Sequence, residues 1–223
     1  MYFRDRSQAG QELAKALSAY DGKKDTLLLA LPRGGVPVAF EIARRLNLPL
    51  DVLLVRKLGV PGQEEYAMGA IAEEDILYIN PDIMRQLDIR AADIKNVITK
   101  ERAELNRRRE RYRRGRPAPQ LDGKTVIVVD DGLATGATMH AAARALKQAK
   151  VKRLIVAVPV GARDTCREIE KEADAVICLY QPDPFYGVGR WYGDFSQTSD
   201  KQVERLLMQA QTQSQANTGS NSK

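Results

Sequence analysis

Residues 126–146 read VIVVDDGLATGATMHAAARAL. Val126, Ile127, Val128 and Val129 make a short, β-branched, wholly apolar run, the pattern of a strand buried on both faces. Two adjacent carboxylates, Asp130 and Asp131, follow at its C-terminal end, and then comes a string of small or hydroxylic residues, GLATGAT. Helical spacing resumes over residues 139–148. Open α/β sheets place ligands at the C-terminal edge of their strands. A helix that begins there presents backbone N–H groups without intrahelical partners, and its dipole adds partial positive charge. Gly132 and Gly136 let the backbone approach an anion closely, while Thr135 and Thr138 can donate hydroxyl hydrogen bonds, so the stretch reads as a phosphate cradle. A carboxylate pair would repel phosphate alone. It is explained by a ligand that also offers hydroxyl groups, as a phosphorylated sugar does.

The same alternation extends along the chain. Apolar runs short enough for buried strands occur at residues 26–31, 52–55, 126–129, 154–160 and 175–179, and helical patterns at 11–19, 36–46, 139–148 and 165–172 separate most of them. The expected fold is α/β, an open, twisted, mainly parallel sheet with helices on both faces. Asn80-Pro81 supplies a cap and a preset first turn for a further helix, which opens a helical insertion over about 80–116. Ser199 and Gln202 form a capping box ahead of a short helix through Val203, Leu206 and Leu207. Past Met208 the chain is polar and lacks core residues, so disorder is expected over 209–223, after a single domain spanning 1–208.

Of 223 residues, 43% are hydrophobic, ample for a core. The two cysteines, Cys166 and Cys178, have no metal-type spacing and cannot build a disulfide framework. The first residues show no apolar stretch behind a basic start, and no segment approaches the ~20 apolar residues of a membrane span. A soluble, cytoplasmic protein is expected. The net charge of +6 is concentrated: residues 95–116 hold ten Lys/Arg against three Asp/Glu, leaving the rest of the chain close to neutral. Ile94, Ile98, Leu105 and Tyr112 fall on one narrow face of that stretch, and Glu104–Arg108 and Glu110–Arg114 are spaced as i,i+4 pairs. It reads as a long solvated helix with a packed stripe rather than a nucleic-acid surface, since no reader motif accompanies the charge.

Residues 126–138 resemble the signature of the type I phosphoribosyltransferases that binds 5-phosphoribosyl-1-pyrophosphate (PRPP): four apolar residues, two acids, two small or apolar residues, then a small/Thr-Gly-x-Thr ending. Gly132 stands where a larger aliphatic residue is more usual. LPRGGVPVAFEIARRL, residues 31–46, looks like the family's pyrophosphate loop, with Arg33, Gly34 and Gly35 at the turn and a non-proline cis peptide implied near Arg33-Gly34. VRKLGVPGQEEYAMGAI, residues 55–71, resembles the mobile catalytic loop of the adenine and orotate branches, with Lys57 as its cation; Glu64, Glu65 and Tyr66 match nothing in particular.

The resemblance implies transfer of the phosphoribosyl group to a purine-like base, as in nucleotide salvage, with release of pyrophosphate. Asp130 and Asp131 would hold the ribose hydroxyls; Ala134, Thr135, Gly136, Ala137 and Thr138 the 5′-phosphate; and Arg33 and Lys57 would be catalytic, stabilising the leaving group. Mg2+ would be bound mainly through PRPP, near Asp130 and Asp131. The hypoxanthine/guanine transferases carry an aspartate where this chain has Ala134, which counts against an oxopurine. A hood over about 181–198 contains Phe185, Trp191, Tyr192 and Asp194, candidates for stacking on the base and accepting a ring N–H; a satellite cluster anchoring the C-terminal helix fits them equally well. A homodimer is the family expectation. A PRPP sensor without turnover is the alternative to an enzyme.

Overall fold

The computed structural model describes residues 2–73, 76–87 and 90–220, and no side chains for 64–66, 81 and 214–220. In chain order the elements are α1 (Arg6–Ala16), β1 (Thr26–Ala30), α2 (Gly35–Leu46), β2 (Leu50–Val52), β3 (Val55–Val60), β4 (Gln63–Ala72) and β5 (Leu77–Ile79). Next come α3 (Pro81–Gln86), α4 (Ala91–Arg113), β6 (Thr125–Val129), α5 (Ala137–Gln148), β7 (Arg153–Val160), α6 (Arg163–Glu170), β8 (Ala175–Tyr180) and α7 (Asp200–Ser220). Five strands form a parallel sheet in the order β2-β1-β6-β7-β8. The chain thus builds outward in one direction from β1 and in the other from β6, which puts the reversal of strand order between these two neighbours.

Alternate residues of each central strand feed opposite cores, as the side-chain period of two requires. Leu28 and Ala30 of β1, Ile127 and Val129 of β6, and Ile155 and Ala157 of β7 pack with α1, α2 and α7 on one face. Leu27, Leu29, Val126, Val128, Leu154 and Val156 pack with α5 and α6 on the other. Both faces are therefore apolar, which is why the strands read as unbroken apolar runs.

Two expectations are corrected. The run at 52–55 is not one strand: β2 ends at Val52, and Val55 opens β3 of a second, three-stranded antiparallel sheet. The segment likened to a mobile loop is a β3–β4 hairpin whose Val60 pairs with Gln63 across Pro61 and Gly62. Gly62 has φ +79°, which suits a Pro-Gly turn. The helix α7 runs from Asp200 to Ser220, and Ala210 is buried on it. Ser199 does cap this helix, accepting from Gln202 N at 3.2 Å. Asn80 caps α3 in the same way. The side chains of Glu64, Glu65 and Tyr66 lie outside the described residues.

The basic helix α4 buries Leu105 and Tyr112, with Ile94, Val97 and Ile98 packed against the same core. Arg108 pairs with Glu104 at 2.8 Å, but Arg114 turns away from Glu110 to Glu204 of α7. At its end, Arg113 is 2% exposed. Its Nη1 lies 2.5 Å from Asp51 Oδ2, its Nη2 2.6 Å from Glu73 Oε2, and Nη2 donates to Val52 O at 3.0 Å. One guanidinium therefore ties α4 to β2 and to the end of β4. Arg113→Leu leaves two buried carboxylates without their cation, and a loss of about 3–5 kcal/mol in urea-unfolding free energy is expected.

Candidate phosphate-binding site

Leu31 N donates to Val129 O at 2.9 Å, so the turns that follow β1 and β6 leave the sheet side by side. This is the reversal point of the strand order, where the crevice of an open α/β sheet lies. The first turn, residues 32–35, rests directly on the second. A Cβ on Gly34 would overlap the Asp131 carboxylate, and one on Gly35 would sit 2.5 Å from Val129 O, so glycine is required at both positions. The cis peptide lies between Pro32 and Arg33, one bond earlier than the resemblance implies.

Two helices point their N-termini at this crevice. α2 follows Gly34 and α5 follows Gly136, and neither has a side-chain cap. In α2, Gly35 N and Val36 N are taken by Leu31 O and Arg33 O and Pro37 has no N–H, so it is the first turn of α5 whose amides are left to another partner. That arrangement attracts an anion. Gly136 is left-handed at φ +71°, and a Cβ there would be 2.6 Å from Thr165 Cγ2. Thr165 Oγ1 also donates to Ala134 O at 2.7 Å, which pins the loop from beneath. Ala134, Thr135 and Thr138 are exposed around it, and Ala137 is half-buried.

Asp130 and Asp131 sit between the two helix ends. Burial, together with the Asp131 charge, holds the Asp130 carboxyl well above its usual range. Burial also raises Asp131, against the opposing pull of Arg6. Arg6, from the first turn of α1, is a site residue that sequence reasoning missed. Its Nε donates to Asp131 Oδ2 at 2.8 Å, its Nη1 to Ser196 O at 2.8 Å, and its guanidinium lies 4.0 Å from the centre of the Phe195 ring. No spacing or motif in the sequence marks a contact 125 residues apart.

A cavity of about 220 Å³ adjoins the two turns. Pro32 of the first turn, Ala137 and Thr138 of α5, Arg56 and Lys57 of β3, and Arg108 of α4 form its polar and backbone walls. The structure thus brings Lys57 to the cradle from the hairpin. Arg33 is 39% exposed, with Nη1 3.9 Å from Asp200 Oδ1. Asp200 also accepts from the Tyr112 hydroxyl at 2.5 Å and forms an ion pair with Arg111 at 2.9 Å, so the first residue of α7 joins the 32–35 turn to α4.

The hood lies outside this cavity. Tyr192 is buried: its hydroxyl donates to Asp131 O at 2.6 Å and its ring packs between Phe3 and Phe195. Trp191 packs edge-on against Tyr180, with its Nε1 buried and without a hydrogen-bond partner. Phe185 packs into the same cluster, and Asp194 Oδ1 accepts from Ser196 N at 2.8 Å within its own turn. These residues clamp the hood to α1 and to the acid pair. His140, one turn into α5, pairs with Glu172 at 3.0 Å rather than facing the cavity.

The class that fold and site define is an open, mainly parallel α/β sheet with a crevice at the reversal of its strand order. Residues 4–189 match the phosphoribosyl transferase domain, and the chain belongs to that family. A provisionally named phosphoribosyl transferase of Mycobacterium tuberculosis is 46% identical over 208 residues, covering 93% of this chain and 47% of the relative. The chain therefore spans about half the length of the curated relatives it matches. A crystal structure of a Thermus thermophilus protein aligns with a TM-score of 0.86 and 42% identity, covering 94% of this chain and 99% of that one.

The acid pair has a consequence for stability. A carboxyl that holds its proton more tightly when folded stabilises the fold below the unfolded-state value of 3.8, and that contribution is lost as pH rises through the folded value. Asp130→Asn is expected to unfold at higher urea than the parent at neutral and alkaline pH, with the gap closing toward about pH 4. A gap independent of pH would place the effect elsewhere.

Proposed function

We propose that this chain binds PRPP with Mg2+ and transfers the 5-phosphoribosyl group to a nitrogenous, purine-like base, releasing pyrophosphate. The observation that carries the reading is the convergence, at one reversal point, of the uncapped α5 N-terminus, the tight turn that opens α2 and an acid pair. The end of α5, with Ala134, Thr135, Gly136, Ala137 and Thr138, is a cradle for the 5′-phosphate. The acid pair suits the ribose hydroxyls: Asp130 is half-buried and its Oδ1 accepts from Asp131 N at 2.8 Å, so a hydroxyl donor or a cation at the carboxylate relieves the cost of its charge. Asp131 is already oriented by Arg6 and offers its other oxygen.

The same chemistry of the donor set suits Mg2+, which Asp130 and Asp131 would approach while most of its oxygens came from substrate. When bound, the ion would neutralise charge on the leaving group. The chain's own contribution to that task is Lys57 and the turn at Arg33, Gly34 and Gly35. Both act by fixed positive charge and backbone N–H groups where pyrophosphate charge develops. Closing the β3–β4 hairpin over the cavity would bring Lys57 nearer and exclude water.

The acceptor is read less directly, because Tyr192 is committed to the fold and Ala134 supplies no proton-handling group. Incubation with PRPP, Mg2+ and a panel of bases, followed by pyrophosphate release, tests the reading. Release with at least one base is expected, and tight PRPP binding without release from any base would make the chain a sensor instead. Asp131→Asn is expected to abolish measurable PRPP binding by calorimetry, and Lys57→Ala to lower kcat by about 100-fold. Unchanged PRPP affinity in Asp131→Asn would overturn the site assignment.

A further inference from the structure

The basic charge of α4 is not spread evenly around the helix. Leu105 is 3% exposed and fixes the helix against the core, and Arg108, three residues on, occupies the same face. Leu105 and Arg108 both line the 220 Å³ cavity. Arg107, one position away, points elsewhere, with its side chain 58% exposed against 30% for Arg108. Both arginines hold the same carboxylate, Glu104, at 2.7 and 2.8 Å. One turn earlier, Glu101 of α4 holds Arg56 at 2.6 Å, and Arg56 lines the cavity too. The cavity walls thus carry Arg56, Lys57 and Arg108 opposite an uncapped helix N-terminus, and no carboxylate is among the described lining residues.

We propose that Arg108 is a diphosphate-binding residue, so that α4 forms a wall of the PRPP site and supplies a cation from a rigid element. This rests on the reading that the cavity takes PRPP. The i,i+4 pair with Glu104 is half-exposed and weak, and a multiply charged diphosphate displaces it readily. A guanidinium can then grip two phosphate oxygens at once, which a lysine ammonium cannot. The helix that carries it is anchored by Leu105, Tyr112 and Arg113, so the grip needs no ordering of a loop. Lys57, on the hairpin, and Arg108, on the helix, would approach the leaving group from different sides.

The experiment is calorimetric titration of the full chain with inorganic pyrophosphate and with PRPP, each with Mg2+, on the parent, Arg108→Gln, Arg108→Lys and Arg107→Gln. Arg107→Gln removes the same charge from the same helix and the same Glu104, but from outside the cavity. Arg108→Gln is expected to lose tenfold or more in affinity for both ligands, and to raise KM for PRPP with an unchanged thermal midpoint. Arg108→Lys is expected to recover part of that loss, and Arg107→Gln to stay within twofold of the parent. Equal affinities for Arg108→Gln and the parent would overturn the assignment. So would equal losses in Arg107→Gln and Arg108→Gln, which would mean diffuse charge. If Arg108→Gln does not fold, Arg108→Lys decides, a threefold loss supporting the contact and an unchanged affinity overturning it. Failure of the parent to bind either ligand would instead sink the reading of the cavity itself.

Discussion

The parallel pairing of β1 with β6 is the constraint on which the rest of the structure depends. These strands are separated by about a hundred residues, yet their register runs from Thr26 opposite Thr125 to Ala30 opposite Val129. Because they are neighbours, the turns after them must share one small volume at the sheet edge. Gly34 and Gly35 are what that crowding demands, since any side chain there would collide with the Asp131 carboxylate or the Val129 carbonyl. The convergence of the α2 and α5 N-termini follows from the same geometry. The meeting of two helix starts at one sheet edge is thus a by-product of strand order, before any basic side chain is added.

Basic side chains then arrive from outside the parallel sheet. The β3–β4 hairpin brings Arg56 and Lys57, and α4 brings Arg108, while the buried Arg113 ties α4 to both Asp51 and Glu73. On the far side of the acid pair, Arg6 and the hood play the corresponding part. The crevice is therefore framed by parts of the chain remote in sequence, each held by an ion pair or a ring contact rather than by the sheet.

Much of this framework could be read from residue order, and the physical reason differs by element. β1, β6 and β7 were legible because burial on both faces leaves an apolar run with no polar interruption. The turn between β6 and α5 was legible because small residues and glycines stand between an apolar run and a helical pattern. The β3–β4 hairpin was misread: Pro61 and Gly62 suit a tight turn and an open loop equally, and VRKLGV lacks the clean alternation of a half-buried strand. Leu105 and Tyr112 marked the packed stripe of α4, but nothing in the spacing said which of its arginines would face a cavity. Arg6 and Arg113 were invisible as site or core residues, because a single arginine carries no periodicity and its partners lie far away along the chain. Tyr192 illustrates a further limit, since aromatic content alone does not separate a stacking platform from a structural clamp.

Asp200 gives the terminal helix a stake in the chemistry. It stands at the start of α7, holds Tyr112 and Arg111 of α4, and reaches toward Arg33 in the turn against the acid pair. A ligand that draws Arg33 to itself competes with Asp200, and the carboxylate then rests more fully on α4. By reciprocity, if an anion at the turn draws Arg33 from Asp200, a change that strengthens the Arg33–Asp200 contact would weaken the hold on that anion. The seam and the crevice are in this sense two ends of one balance, with a single aspartate as its pivot.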